Sequence, residues 1–168
     1  MLIQEIIDMG MRRKGREIAL QTLYSLGFVE TDPFLGDLEL IQKYEEKLIE
    51  IAHDTDVKED SQIFKFADNL VKNVLKNMED VDEQIKSHTT NWPFDRIALL
   101  DKSILRIAGY EIIFTNTAAP IIMNEAIEIA KKFCSESSGK FVNGILNSIA
   151  ADKKEGKLPA AEDKEENE

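Results

Sequence analysis

With 168 residues and 43% hydrophobic content, the chain holds enough apolar material for one domain, or for two small sub-domains sharing a core, which excludes global disorder. A net charge of −11 excludes indiscriminate binding of nucleic acid, so any such site must be small and confined. The single cysteine, Cys134, excludes an internal disulfide, and no apolar run approaches the roughly 20 residues of a membrane span.

Nearly every segment reads as helix. Residues 1–10 form an N-terminal extension, and residues 11–28 then carry Ala19, Leu20, Leu23 and Gly27 on one face. Asp32, Pro33 and Gly36 mark a loop. Residues 37–53 repeat Leu38, Ile41, Leu48 and Ala52, and the polar stretch Asp54 to Asp60 ends that pattern. Residues 61–78 place Ile63, Ala67, Leu70, Val74 and Met78 three and four apart, with Asp60 or Ser61 as N-cap. A short helix fits within Glu79 to Asn91.

The segment from Pro93 to Phe114 is different. Pro93 suits a first helical turn, where its missing N–H costs nothing. Beyond it, Ile97, Leu99, Leu100, Ile104, Leu105, Ile107, Ala108, Ile112, Ile113 and Phe114 are spread almost all round, the pattern of a helix buried on several sides. Lys102 and Arg106, one turn apart, mark a narrow exposed strip. Pro120 begins the next helix, with Ile122, Ala126, Ile129, Ala130 and Phe133 inward. Ser137 or Ser138 caps the last, whose inward stripe is Val142, Ile145, Leu146 and Ile149. Residues 152–168 are almost without apolar side chains and read as an acidic disordered tail. The fold class is all-α, with sub-bundles of about 11–90 and 91–151.

No catalytic constellation emerges. His53 and His88 lie in separate polar segments and read as solvated, with no second ligand at metal spacing. Cys134 reads as a small residue near a helix end. Glu45-Glu46 and Glu165-Glu166 are solvated pairs, and Gly139-Lys140 lacks the rest of a phosphate loop. No metal or cofactor is expected. The opening Met1 to Asp8 has no basic lead and is interrupted by acids, so it is not a secretion signal, and a cytoplasmic protein is expected.

What remains is a local concentration of cations. Arg12, Arg13, Lys14 and Arg16 stand at the head of a helix that continues to Gln21 and Tyr24. The surrounding acids do not erase this cluster, because screening at physiological salt acts over roughly 8 Å. Arg13, Glu17, Gln21 and Tyr24 fall on one helical line about 16 Å long at about 1.5 Å per residue. Together they offer cations for phosphates, an amide for base edges and a ring for stacking, the needs of single-stranded RNA recognition. On pattern alone the four cations read first as a solvated helix face, and Tyr24 as a partly buried core residue. Cations at a helix start oppose the helix dipole, a small argument that they serve something besides helix stability. Phe141 lies about 100° off the inward stripe beside Lys140, so it is either a boundary core residue or a half-exposed stacking ring.

Three strings in the second half accompany the basic run. They are Asp101-Lys-Ser-Ile-Leu-Arg-Ile-Ala-Gly-Tyr-Glu111, Asn124-Glu-Ala-Ile-Glu-Ile-Ala-Lys131 and Gly139-Lys-Phe-Val-Asn-Gly-Ile-Leu146. In this order and spacing the chain resembles the NusB family over residues 11–150. The resemblance implies two small helical bundles packed across each other. It further implies binding of boxA-like single-stranded RNA together with NusE, a ribosomal small-subunit protein that also serves transcription. With the transcribing RNA polymerase complex they support antitermination, notably in ribosomal RNA synthesis. Position by position, the family's arginine-rich segment corresponds to Arg12, Arg13, Lys14 and Arg16, its RNA-contacting tyrosine to Tyr24, and its Lys-Phe pair to Lys140 and Phe141. Lys102, beside Asp101, lies on the helix flanking the RNA and partner surfaces. In some relatives a homodimer forms through the RNA face.

Gly15 departs from expectation, because a better helix former belongs there, and it suggests a basic run frayed until RNA arrives. Two other readings compete. One is a helical scaffold that binds only proteins. The other is an RNA-modifying enzyme, since a NusB-like module occurs fused to RNA methyltransferases, but the chain leaves no room for a cofactor-binding α/β domain.

Overall fold

The computed structural model describes residues 2–27 and 37–158. The loop expected around Asp32, Pro33 and Gly36, the side chain of Leu38 and residues 159–168 of the expected tail lie outside the described residues. Among the described residues, seven α-helices run in the order α1 (Leu2–Gly27), α2 (Asp37–Asp54), α3 (Gln62–Lys76), α4 (Met78–Ser87), α5 (Leu99–Phe114), α6 (Ala119–Phe133) and α7 (Glu136–Lys154), with a 3₁₀ turn at Phe94–Arg96. Among the described residues there is no strand, as the periodicity requires.

α5 is the centre. It packs against α1, α3, α4, α6 and α7, and Ile104, Leu105, Ile107, Ala108, Ile112 and Ile113 are all buried. An apolar surface on every side of a helix is removed from water only when neighbours surround it, at about 25 cal/mol per Å² of apolar area. α1 also packs on α2 and α3, and α6 packs on α7. α4 lies chiefly against α5 and only lightly against α3. It therefore groups with the second half of the chain, across the division near residue 90 suggested by sequence.

Most inward stripes appear as expected, including Ala67, Leu70 and Val74 on α3 and Val142, Ile145, Leu146 and Ile149 on α7. Ser61 caps α3, its hydroxyl accepting from the Phe64 amide at 3.2 Å. Elsewhere the structure corrects the expectation. α1 begins at Leu2, so residues 2–10 are its first turns rather than a separate extension. They carry Leu2, Ile3, Ile6, Ile7 and Met9 exposed. Ile41 occupies the inward arc of α2 yet is exposed. It precedes Tyr44, the first buried side chain described on α2, where the helix meets its neighbours.

Pro93 does not open α5. Ile97 and Ala98 are extended, which interrupts the hydrogen-bond ladder, and the helix starts at Leu99. The last helix is capped by Ser135, not by Ser137 or Ser138, its hydroxyl accepting from the Ser138 amide at 3.1 Å. Phe133, expected inward, is half-buried.

The expected tail also starts later than its composition suggests. α7 continues to Lys154, and Lys153 Nζ donates to the carbonyls of Ile112 and Thr115, the latter at 3.0 Å, at the C-terminal end of α5. A cation is favourable there because the last helical carbonyls lack intrahelical partners. Asp152 accepts from His88 Nε2 at 2.7 Å. His88 is therefore a largely buried tie between the ends of α4 and α7, not a solvated residue. Polar composition hid this segment because its stabilisation comes from specific polar partners and not from an apolar stripe.

Candidate nucleic-acid interface

The basic run of α1 spreads over three faces, because successive helical residues are about 100° apart. Its inner face is closed. Gly15 is buried, and a Cβ there would lie 2.5 Å from Phe66 Cδ1 on α3. Glycine is thus the residue that lets α1 and α3 approach, and the run is a closely packed helix rather than a frayed one. Arg16, one residue on, is only 5% exposed. Its Nε and Nη2 donate to the Glu111 carboxylate of α5 at 2.9 and 2.8 Å, and its guanidinium lies 5.5 Å from the centroid of the Phe66 ring. A bidentate pair satisfies a cation that could not otherwise be buried. Arg16 belongs to the core, which corrects its expected place among the RNA-facing cations.

The second face meets α6. Arg13 donates from Nε and Nη2 to Glu125 at 2.7 and 2.8 Å. Hydrogen bonding to this carboxylate raises the Arg13 pKa above its ordinary value, keeping the side chain charged. Its side chain remains 42% exposed beside a 3% exposed Glu125. One turn further, Lys132 of α6 donates to Glu17 at 2.9 Å. The line of Arg13 and Glu17 is therefore a seam between helices, continued by half-buried Gln21 and by Tyr24, which is 36% exposed.

The third face is open. Arg12 and Lys14 are exposed. Arg12 also borders a polar groove between α1, α3 and the end of α5, lined by Asn69, Asn73, Tyr110, Thr115 and Thr117. Burial raises the Tyr110 pKa above its ordinary value, so its hydroxyl stays neutral and able to donate.

α6 links this helix to the other expected contacts. Its C-terminal half touches α1 through Lys132, while Ile127 and Lys131 lie against buried Gly139 at the start of α7. Lys140 follows on the surface, and Phe141 is half-buried with part of its ring against the core. The two readings of Phe141 thus coexist in one residue. Lys131 and Lys132, with side chains 50% and 60% exposed, pair with Glu128 of α6 and Glu17 of α1, and Lys131 also lies against Gly139, the residue before Lys140. Sequence reasoning passed over them, although two consecutive lysines closing a helix shortly before Lys140 were a readable signal.

Lys102 stands apart from α1. Its ammonium lies 4.3 Å from the centroid of the Phe94 ring, towards the α4–α5 connection, and Arg106 on the same line is paired with Asp82 at 2.8 Å. The expected exposed strip is thus a packed one. Cys134 closes α6 as expected, and burial followed by Asp101 pushes its thiol up to about 11, so it stays protonated at neutral pH. Among the described residues no group of His, Cys, Asp and Glu has the arrangement of a metal site. No described helix is long and apolar enough to cross a membrane.

The model of the NusB family matches residues 13–151. A transcription antitermination protein NusB of Elusimicrobium minutum (strain Pei191) is 37% identical over 150 residues, covering 88% of this chain and 99% of its own. Among solved structures, T. maritima NusB is 30% identical with a TM-score of 0.69, covering 88% of this chain and 97% of its own. A chain from the crystal structure of antitermination factors NusB and NusE in complex with dsRNA shares the fold, with a TM-score of 0.69 at 23% identity and coverage of 84% of this chain and 96% of that one.

Proposed function

The chain belongs to the NusB family, a family of transcription antitermination factors and not of enzymes, and from that premise we propose that it binds boxA-like single-stranded RNA jointly with NusE. The pair acts in the cytoplasm with the transcribing RNA polymerase complex and supports ribosomal RNA transcription. The observation that carries this reading is the open face of α1, where exposed Arg12 and Lys14 share a helix with partly exposed Tyr24. α6 contacts both neighbours, with Lys132 paired to Glu17 of α1 and Lys131 against Gly139, which precedes Lys140 and Phe141 on α7. Exposed ammonium and guanidinium groups neutralise phosphates, and partly open rings stack on unpaired bases. Arg13 contributes through the part of its guanidinium left open by Glu125. The relative of the same fold that is solved with NusE and dsRNA supports the pairing of partners. Self-association through this face makes a homodimer the competing state.

Sedimentation of the protein alone, with NusE, with a boxA-like oligoribonucleotide and with both tests the reading. The expected result is a ternary species that holds RNA more tightly than this chain alone, because two adjoining surfaces share one strand. Equal RNA affinity with and without saturating NusE removes the joint-binding reading. No RNA binding in any mixture leaves the protein-only scaffold.

A further inference from the structure

The last helix ends beside the groove that Arg12 borders. Lys153 of α7 donates to the Thr115 carbonyl at 3.0 Å, and Thr115 and Arg12 line the same polar groove. At Gly156 φ is 69°, and the amides of Gly156 and Lys157 donate back to the carbonyls of Lys153 and Asp152 at 3.0 and 2.9 Å. This left-handed turn closes α7, and Leu158 after it packs against the core. α7 thus hands the chain on from a point held to the end of α5. The residues that follow, 159–168, include Glu162, Asp163, Glu165, Glu166 and Glu168 against one lysine, Lys164.

We propose that this acidic segment folds back into the groove and covers Arg12, competing with RNA for the open face of α1. The proposal rests on the RNA-binding reading above and adds a regulation carried by the chain itself. Ten extended residues span up to about 33–36 Å, roughly three helix diameters, and the groove runs between neighbouring helices. The donors that the groove leaves unused suit carboxylates. Its Thr115 hydroxyl is already donated to the Glu111 carbonyl, and the Asn73 amide to Asn69. The Glu111 carboxylate is neutralised by Arg16. What remains among the described residues of the lining is the exposed Arg12 guanidinium with the hydroxyls of Tyr110 and Thr117. A carboxylate accepts from both kinds of donor. Exposed ion pairs are weak, but within one chain they form at an effective concentration on the order of millimolar. An RNA phosphate draws on the same Arg12 charge, so tail and strand exclude each other.

A nitroxide on the tail reads the contact directly. It is attached at Asn167→Cys in the full chain carrying Cys134→Ser, which keeps all five tail acids. Amide signals of Arg12, Asn69 and Thr117 should broaden. They should recover in about 1 M salt, where screening acts over about 3 Å, and on addition of a boxA-like oligoribonucleotide. Deletion of residues 159–168 should then tighten binding of that RNA about 3- to 10-fold at low salt, a modest gain in keeping with weak exposed pairs. Tail charge would also repel RNA at a distance, so the deletion is repeated in Tyr110→Phe with Thr117→Val. This pair keeps every charge and removes the groove hydroxyls, and the gain on deletion should shrink. An equal gain in both backgrounds, or no broadening around the groove, overturns docking in favour of long-range repulsion. Broadening confined to another surface overturns the groove as the seat of the tail. Unchanged RNA affinity on deletion overturns the shielding and leaves the α1 site standing. If neither the full nor the shortened chain binds RNA, the RNA-binding reading falls and the shielding with it.

Discussion

One stretch of α1, Arg12 to Arg16, contains two opposite environments. On its sealed flank, Gly15 lies against Phe66 and Arg16 is clamped by Glu111. On its open flank, Arg12 and Lys14 stand in solvent. The two arginines are neighbours in sequence and identical in charge, yet Arg16 is a structural element of the core and Arg12 is exposed. The difference shows that a basic cluster on a helix is not one object. Helical phase divides it, and the acids on the facing helices decide which cations remain available.

The strongest challenge to this contrast is removal of the sealed arginine. Arg16→Ala leaves Glu111 buried without its partner and should cost about 3–5 kcal/mol in urea unfolding. Arg16→Met combined with Glu111→Leu should recover much of that, since an apolar pair of similar volume replaces a buried ion pair with little loss. If Arg16→Ala melts like the parent, the sealed flank is not what holds α1 to α5.

Gly15→Ala comes next. The added Cβ collides with the Phe66 ring, and overpacking of this kind costs about 1–3 kcal/mol, against about 1 kcal/mol gained in helix preference. A net loss of stability is expected, reversed when Phe66 is shortened to Leu. A stabilised Gly15→Ala variant would show that α1 and α3 separate easily.

On the open side the effects move from folding to binding. Tyr24→Ala should weaken RNA binding by about 1–3 kcal/mol, with the salt dependence nearly unchanged, because stacking carries no charge. A parallel thermal melt separates this from any packing loss. A steeply altered salt slope would mean that Tyr24 positions cations rather than a base.

The smallest effect on the fold should come from Arg12→Ala with Lys14→Ala. Stability should stay within about 0.5 kcal/mol of the parent, as for ordinary surface positions. The slope of log K against log salt should flatten by about 1.4, near 0.7 for each lost phosphate contact on a single strand. An unchanged slope would remove both residues from the interface.

Much of this molecule was legible in its sequence. The spacing of Ala67, Leu70 and Val74, and of Val142, Ile145, Leu146 and Ile149, determined which faces of α3 and α7 turn inward, because burial must follow the helical repeat. The all-round apolar pattern of residues 97–114 determined that α5 lies at the centre. The basic run marked α1 as the helix to examine. Composition could not reveal the partner of each polar group, since a charge is buried or exposed according to what faces it across the fold. Glu111 and Glu125 are 95 and 112 residues from the arginines they hold. The same reason made His88 and residues 152–158 look like solvated chain until Asp152 and the α5 carbonyls met them. Local periodicity thus determined the helices and their inward faces. Only the tertiary structure decided which cations are spent inside and which face solvent, because that choice rests on pairings between residues far apart in the chain.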